Sequence, residues 1–298
     1  MKNKRIRVVV FGKSGLLGGE FFSYFISKKI SVFGYDSKSC DITKFDQIFK
    51  IIKKIKPDIV INCSGKINID KCEEDPVGAY MVNSIGPGNI ARALKLLNKK
   101  TAFFHISTAY IFGGKASGGY KENSDVKPVN IYGWSKFLGE KIVEQELRKN
   151  SLVKYFIIRT GWMYGGFRRT FIEDIIDSLR TNKTMKLVTD NYNVPTWTGD
   201  LVRGAVALLK NKKLKSGIYH LFNSYKKPVA KYDIGVFMAG ILRINTKRLE
   251  PCRYKDVSKI GKPGNTILIN SKVKNLPDWK KSLARYLKLK YWNSFNLK

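Results

Sequence analysis

Sulfur and imidazole are scarce in this sequence, whose 298 residues hold four cysteines and two histidines. Cys40, Cys63, Cys72 and Cys252 show no CxxC spacing, and His105 and His220 lie far apart. That pattern argues against a zinc module and a disulfide framework and leaves free, partly buried thiols. Long apolar runs are missing too. Nothing reaches the roughly 18 uninterrupted apolar residues of a membrane-spanning helix, and residues 1–5 lead into a strand-like run too short for a signal-peptide core. The expectation is a soluble, cytoplasmic protein with no membrane span.

Acidic residues form the third shortage. Against 56 Lys+Arg stand 23 Asp+Glu, a net charge of +33, which taken alone points to nucleic acid or an anionic membrane surface. The distribution argues otherwise. Lysines come as pairs between apolar residues, as in Ile51-Ile52-Lys53-Lys54-Ile55-Lys56 and Lys210-Asn211-Lys212-Lys213-Leu214-Lys215, which is a solvated-surface pattern and not a polybasic arm. Compositional drift toward Lys, Asn and Ile, of the kind an AT-rich genome produces, accounts for it. The last 48 residues carry twelve Lys/Arg against Asp256 and Asp278, so that end is the candidate for any polyanion contact. No nucleic-acid fold signature accompanies the charge, and no nucleic-acid partner is expected.

What is abundant is apolar patterning. With 43% hydrophobic and 12% aromatic residues, the chain has the makings of a sizeable core. Residues 6–11 read as a buried strand, 20–28 as a helix with an apolar stripe, and 30–35 as a second strand ending at Asp36. Thr43 is in position to cap a helix running to Ile55, with Asp46 three residues on, and Pro57 stops it before a strand at 59–62. A helix around 79–97, strands at 102–107 and 153–159, and a helix at 132–148 between those strands follow. Strands spaced by helices in this way imply an α/β fold, a Rossmann-type doubly wound parallel sheet. The expected division is a dinucleotide-binding domain over 1–160 and a smaller, mainly substrate-binding region over 161–298, with helices near 170–180, 199–209, 229–242 and 280–289.

The first strand-to-helix turn reads Gly12-Lys13-Ser14-Gly15-Leu16-Leu17-Gly18. Glycines there permit a tight turn and let backbone amides approach a pyrophosphate at a helix N-terminus. Asp36, eighteen residues past Gly18, sits where a carboxylate can bind the adenosine ribose hydroxyls. The carboxylate favours NAD, while Lys13 and Lys38 are close enough in sequence to accept a 2′-phosphate, so NADPH and NADH both remain. A second constellation pairs Ser107-Thr108 at a strand end with Tyr132-Gly133-Trp134-Ser135-Lys136. Tyr132 and Lys136 share one helix face. An ammonium nearby favours the phenolate of a tyrosine and makes it a usable proton donor and acceptor. Tyr24/Lys28 and Tyr286/Lys290 share the spacing but lack the Ser-Thr partner, so a structural role is expected of them.

At these motifs the chain resembles the extended short-chain dehydrogenases/reductases, and within them the dTDP-4-dehydrorhamnose reductase family. The likeness runs through Phe11-Gly12-Lys13-Ser14-Gly15, Pro57-Asp58-Ile59-Val60-Ile61-Asn62, Ser107-Thr108-Ala109-Tyr110-Ile111-Phe112-Gly113-Gly114 and Tyr132-Gly133-Trp134-Ser135-Lys136. It continues in Arg159-Thr160-Gly161-Trp162-Met163-Tyr164-Gly165, Val194-Pro195-Thr196, Lys262-Pro263-Gly264-Asn265-Thr266 and Leu276-Pro277-Asp278-Trp279. The resemblance implies reduction of the C4 keto group of a nucleotide-activated 4-keto-6-deoxy sugar, in deoxysugar and polysaccharide precursor synthesis. Tyr132 would donate the proton, Lys136 would bind the nicotinamide ribose and lower the Tyr132 pKa, and Thr108 would orient the keto oxygen. Gly12, Ser14, Gly15, Leu16, Leu17, Gly18, Asp36, Asp41, Ile42, Ser64, Gly65 and Lys66 would line the dinucleotide groove. Ala109 and Trp162 would face the sugar, with Trp162 packed on its ring; an ordinary core aromatic is the alternative for Trp162.

Three departures from the family pattern stand out. Ala109 occupies a position usually held by Asp, Gly161 replaces a small hydroxyl residue, and Phe167-Arg168-Arg169 fills a normally Asn-containing stretch. The two guanidinium groups suit phosphate oxygens, with a solvated charge pair as the alternative. Some family members dimerise through magnesium held by carboxylates. Glu20 and Asp200 fall at comparable positions, so a homodimer is compatible with the resemblance, but one residue pair falls short of the oxygen ligands such an ion needs and no metal is expected. The rival function is a non-catalytic nucleotide-binding regulatory subunit, as in the methionine adenosyltransferase beta subunit, which resembles the same reductases. Retention of Thr108, Tyr132 and Lys136 favours the enzyme.

Overall fold

A computed structural model describes residues 5–181, 183–257, 261 and 263–295, with side chains described as far as residue 291. Residues 1–4 and Lys262, both read in the sequence above, lie outside the described residues. The first half alternates strand and helix: β1 (Arg7–Phe11), α1 (Leu16–Ser27), β2 (Ser31–Tyr35), α2 (Phe45–Ile55) and β3 (Ile59–Asn62). It goes on with α3 (Ile69–Glu74), α4 (Pro76–Tyr80), α5 (Gly86–Leu97), β4 (Thr101–Thr108), α6 (Ile131–Leu147) and β5 (Val153–Thr160). The second half has shorter strands: β6 (Trp162–Tyr164), α7 (Phe171–Arg180), β7 (Met185–Val188), β8 (Tyr192–Asn193), β9 (Pro195–Trp197) and α8 (Thr198–Lys210). After these come β10 (Gly217–His220), β11 (Asn223–Ser224), β12 (Val229–Ala230), α9 (Lys231–Leu242), β13 (Leu249–Cys252), β14 (Leu276–Asp278) and α10 (Trp279–Phe295).

Six strands form one sheet in the order β10-β5-β4-β3-β1-β2, every neighbouring pair parallel. The expected doubly wound sheet is therefore present. The second half contributes its sixth strand, β10. The remaining described strands pair two by two, β6 with β9, β7 with β13, β8 with β12 and β11 with β14.

Alternation along β1 shows why both faces must be covered. Val8 and Val10 join Phe21 and Phe25 of α1 and Leu201 and Ala205 of α8 in one buried layer. Val9 and Phe11 join Ile48 and Ile52 of α2 and Ile90 and Leu94 of α5 on the other. Period-two side chains that are apolar on both faces need helices on both sides. A third core, with Phe112, Tyr164, Ile172, Met238 and Leu283 among its members, gathers the second-half elements around the segment that follows β4. β1 lies between β2 and β3, so the chain reverses its winding there and a crevice opens at the carboxyl ends of the strands.

Four local readings need correction. α1 starts at Leu16, four residues before the expected stripe, because glycines let its first turn lie against the preceding loop: a Cβ on Gly18 would fall 2.0 Å from the Gly12 carbonyl oxygen. Thr43 does not cap α2. Its hydroxyl donates to Asp41 Oδ1 (2.8 Å), and Lys44 takes the cap position without a side-chain bond. The helix read over 79–97 begins at Pro76, capped by Asp75, and passes through a π-helical turn at Met81–Ile85. Residues 229–230 belong to a strand, because they pair antiparallel with β8 before α9 begins.

Candidate active site

The crevice is a cleft of about 660 Å³. One arm starts at Gly12, whose φ of +81° is open to glycine and where a Cβ would come within 2.7 Å of the Cys63 and Ser64 backbone. Strand β1 and the segment after β3 thus touch backbone to backbone. Gly15 is the N-cap of α1 and supplies no side-chain cap, so the first amides of that helix face the cleft available to an anion. Gly12, Ser14, Gly15, Leu16 and Leu17 all line the cleft. Gly18 sits behind them, where its role is the close approach just described.

Asp36, Asp41, Ile42, Ser64 and Gly65 also line this arm. Asp36 closes a local turn: Oδ1 accepts from the Ser39 hydroxyl (2.9 Å), the Ser39 amide (3.1 Å) and the Lys38 amide (3.2 Å). Those bonds, the Ser39 hydroxyl foremost, hold its carboxyl below the usual range, so it stands as an ionised acceptor. Lys66 does not line the cleft. Its ammonium pairs with Asp75 Oδ2 (2.5 Å), and its backbone is bracketed by Asn83, which accepts from the Lys66 amide (2.9 Å) and donates to the Lys66 carbonyl (2.8 Å). Asn83 donates further to Ser135 Oγ (3.0 Å). A buried amide in the π-helical turn thus ties the segment after β3 to α6, a link with no signal in the sequence.

Where the two arms meet, Thr108 ends β4 and Tyr132 and Lys136 project from α6. All three line the cleft. Asn130 caps α6 through Gly133 (2.8 Å), and a Cβ on Gly133 would lie 2.4 Å from the Tyr110 carbonyl oxygen, so the helix start is pressed against the end of β4. Burial pushes the Tyr132 phenol up to about 12, against a hydrogen bond with Thr108 that lowers it. Burial draws the Lys136 ammonium down to about 8, with the Glu140 carboxylate opposing. Its Nζ donates to the Ile106 carbonyl (2.6 Å). Burial therefore dominates the Tyr132 shift in this structure, and the Thr108 hydrogen bond eases it. A buried ionic group underlies the trio. Arg159 gives Glu140 a forked contact (Nε to Oε1 3.0 Å, Nη2 to Oε2 2.7 Å), and Ser107 Oγ meets the same carboxylate.

The second arm is lined by Tyr110, Trp162, Arg168, Thr170, Phe171 and Lys231, with Arg169 beside them. Trp162 Nε1 donates to the Tyr110 hydroxyl at 3.5 Å, and the half-buried ring both lines the cleft and packs against the second-half core. Ala109 is fully buried within the second-half core and does not reach the cleft. Arg168 Nε donates to the Ser14 carbonyl (2.8 Å), joining the second half to the glycine turn, while Arg169 pairs with Asp174 (2.7 Å) and Asp177 (2.6 Å). Phe171 and Lys231 escaped sequence reasoning because each opens a helix whose periodicity explains it without a ligand. Neither His105 nor His220 lines the cleft. Both are buried, and burial lowers both imidazoles, His220 to about 4. Glu20 and Asp200 are engaged locally, Glu20 accepting from Thr198 (3.2 Å) and Asp200 from Arg203 (2.6 Å).

A family model described as the RmlD substrate binding domain matches residues 6–291. A dTDP-4-dehydrorhamnose reductase from Mycolicibacterium smegmatis is 29% identical over 285 residues, covering 93% of this chain and 84% of that protein. Among solved structures, a dTDP-4-dehydrorhamnose reductase from Bacillus anthracis in complex with NADP superposes with a TM-score of 0.86 at 26% identity, covering 95% of this chain and 99% of the other. One from Clostridium acetobutylicum gives a TM-score of 0.86 at 30% identity over the same shares.

Proposed function

Because the chain belongs to the RmlD substrate binding domain family, we propose that it reduces the C4 keto group of a nucleotide-activated 4-keto-6-deoxy sugar, the dTDP-4-dehydrorhamnose type, with NADPH or NADH. It is an NAD(P)H-dependent oxidoreductase of deoxysugar synthesis. The observation that carries this reading is the convergence of Thr108, Tyr132 and Lys136 at the junction of two arms of one cleft. The glycine turn, the open N-terminus of α1 and the Asp36 carboxylate fit a dinucleotide, whose reduced nicotinamide supplies the hydride. Residues 161–298 supply mainly the substrate side, and Arg168 reaches back over the glycine turn, where a guanidinium suits a pyrophosphate.

In the reductive direction Thr108 orients the keto oxygen toward Tyr132. The Tyr132 phenol gives its proton to that oxygen as hydride arrives at C4, so carbonyl becomes alcohol. The phenolate left behind is costly in a site that raises its pKa, and the Lys136 ammonium stabilises it before a proton from solvent restores the phenol. General acid catalysis by a positioned side chain contributes roughly 10²–10⁴-fold. Purified protein should therefore oxidise NADPH or NADH with dTDP- or UDP-linked 4-keto-6-deoxy sugars, and Tyr132→Phe should lower kcat by about that factor. Absence of coenzyme oxidation with every such sugar refutes the reading.

A homodimer belongs to the same proposal. Val77, Met81 and Ile85 on the α4 side and Trp134 and Leu138 on α6 are all more than a third exposed, and these helices pack side by side. A second copy covering that apolar face would appear as a dimer mass in sedimentation equilibrium; a monomer at micromolar concentration refutes it. No helix among the described residues is long and apolar enough to cross a membrane. Cytoplasmic residence fits an enzyme drawing on nucleotide sugars and reduced coenzyme, with four unpaired cysteines.

A further inference from the structure

The stretch Phe167-Arg168-Arg169, at which the chain departs from the family pattern, is anchored at both ends and exposed between them. At one end Gly165 is buried, and its carbonyl accepts from the Tyr286 hydroxyl (3.0 Å). At the other, Arg169 pairs with Asp174 and Asp177, and Thr170 forms a capping box with Glu173 that starts α7. Residues 166–169 are exposed, and a Cβ on Gly166 would meet nothing within 4 Å. Two contacts carry this strap to the first half. Phe167 lies on Gly19 of α1, where a Cβ would fall 2.7 Å from the ring, and Arg168 Nε donates to the Ser14 carbonyl (2.8 Å). Ser14 and Arg168 both line the cleft, so their bond bridges it at the turn whose open helix amides suit an anion. A segment held by one exposed hydrogen bond and one half-exposed ring opens far more readily than the buried elements at its ends.

We propose that Phe167 and Arg168 form a latch across the dinucleotide arm, broken and remade as the coenzyme enters and leaves, an inference that rests on the dinucleotide site proposed above. Opening swings residues 166–168 about Gly166 while Arg169 stays with α7. Gly19 belongs to the device: its missing side chain leaves the seat on which the Phe167 ring lies, and that seating keeps Arg168 over Ser14. A latch across the path changes entry and release by the same factor, whereas an ordinary contact to bound coenzyme changes release alone.

The test follows NADPH fluorescence by stopped flow, which gives kon, koff and Kd for wild type, Gly19→Ala, Phe167→Ala and Arg168→Met. Gly19 lies outside the cleft lining, and alanine is a better helix former than glycine, so Gly19→Ala unseats the ring without removing a group from the site. Gly19→Ala and Phe167→Ala should raise kon and koff together roughly tenfold and leave Kd within about twofold. Arg168→Met should raise kon by a similar factor. Unchanged kon in Gly19→Ala and Phe167→Ala overturns the proposal, as does a rise in koff alone, which would make the strap an ordinary contact of the bound coenzyme. A wild type whose NADPH exchange responds in this way yet which reduces no keto sugar refutes the proposed reaction and supports the latch. One that binds no NADPH overturns both.

Discussion

Tyr132 and Lys136 titrate in opposite directions from their ordinary values for one physical reason. Burial opposes a charge on either, raising the phenol to about 12 and lowering the ammonium to about 8. In the reductive direction the phenol must carry its proton, and at about 12 it does so throughout the usable range. The group that changes is Lys136. As pH rises through about 8 the ammonium is lost, and with it the charge that stabilises the developing phenolate, so kcat/KM should fall on the alkaline side. Lys136→Met should be slow at every pH and lack that limb. A pH profile of kcat/KM reads both, and a wild-type profile flat across pH 8 refutes the assignment. The identities and spacing of these residues were plain in the sequence. The direction of the Tyr132 shift was not, because burial is a property of everything packed around the side chain.

Among elements, the tie between β5 and α6 is the one most exposed to a single change. Arg159 and Glu140 are both buried, and the Arg159 guanidinium also donates to the Glu122 carbonyl (3.1 Å). Removing the arginine leaves a carboxylate uncompensated in the interior beneath Ser107 and Lys136. Arg159→Met should cost about 3–5 kcal/mol in denaturant unfolding, and adding Glu140→Met should recover much of the loss. Equal instability of single and double variants would show that the pair is not the source. Neither residue announced itself in the sequence, where Arg159 reads as the end of a strand and Glu140 as one helical position among many. Elements set by local pattern fared better. β3, β4 and β5 lie within two residues of their expected ends, because period-two apolar runs bounded by turn residues leave little choice. α2 lost its expected cap because the carboxylate of Asp41, two residues back, competes for the Thr43 hydroxyl.

At the scale of the whole molecule the +33 charge meets two anionic ligands, a dinucleotide and a nucleotide sugar. Long-range attraction raises their encounter rate and is screened over about 10 Å at 0.1 M salt. kcat/KM for the nucleotide sugar should therefore decline as sodium chloride rises from about 0.01 to 0.2 M, with kcat nearly unchanged. A flat response would leave the charge a matter of composition alone. The sequence by itself determined the doubly wound sheet, the glycine turn and the Tyr132–Lys136 face, since strand period, glycine freedom and helical spacing are local properties of the chain. Tertiary structure alone decided that β10 completes the sheet, that Ala109 is buried away from the cleft, and that Asn83 ties the segment after β3 to α6. It also decided that Lys231 stands over Trp162. The physical reason is the same in each case: which side chains meet across large sequence separations depends on how helices and sheet pack, and no local pattern encodes that meeting.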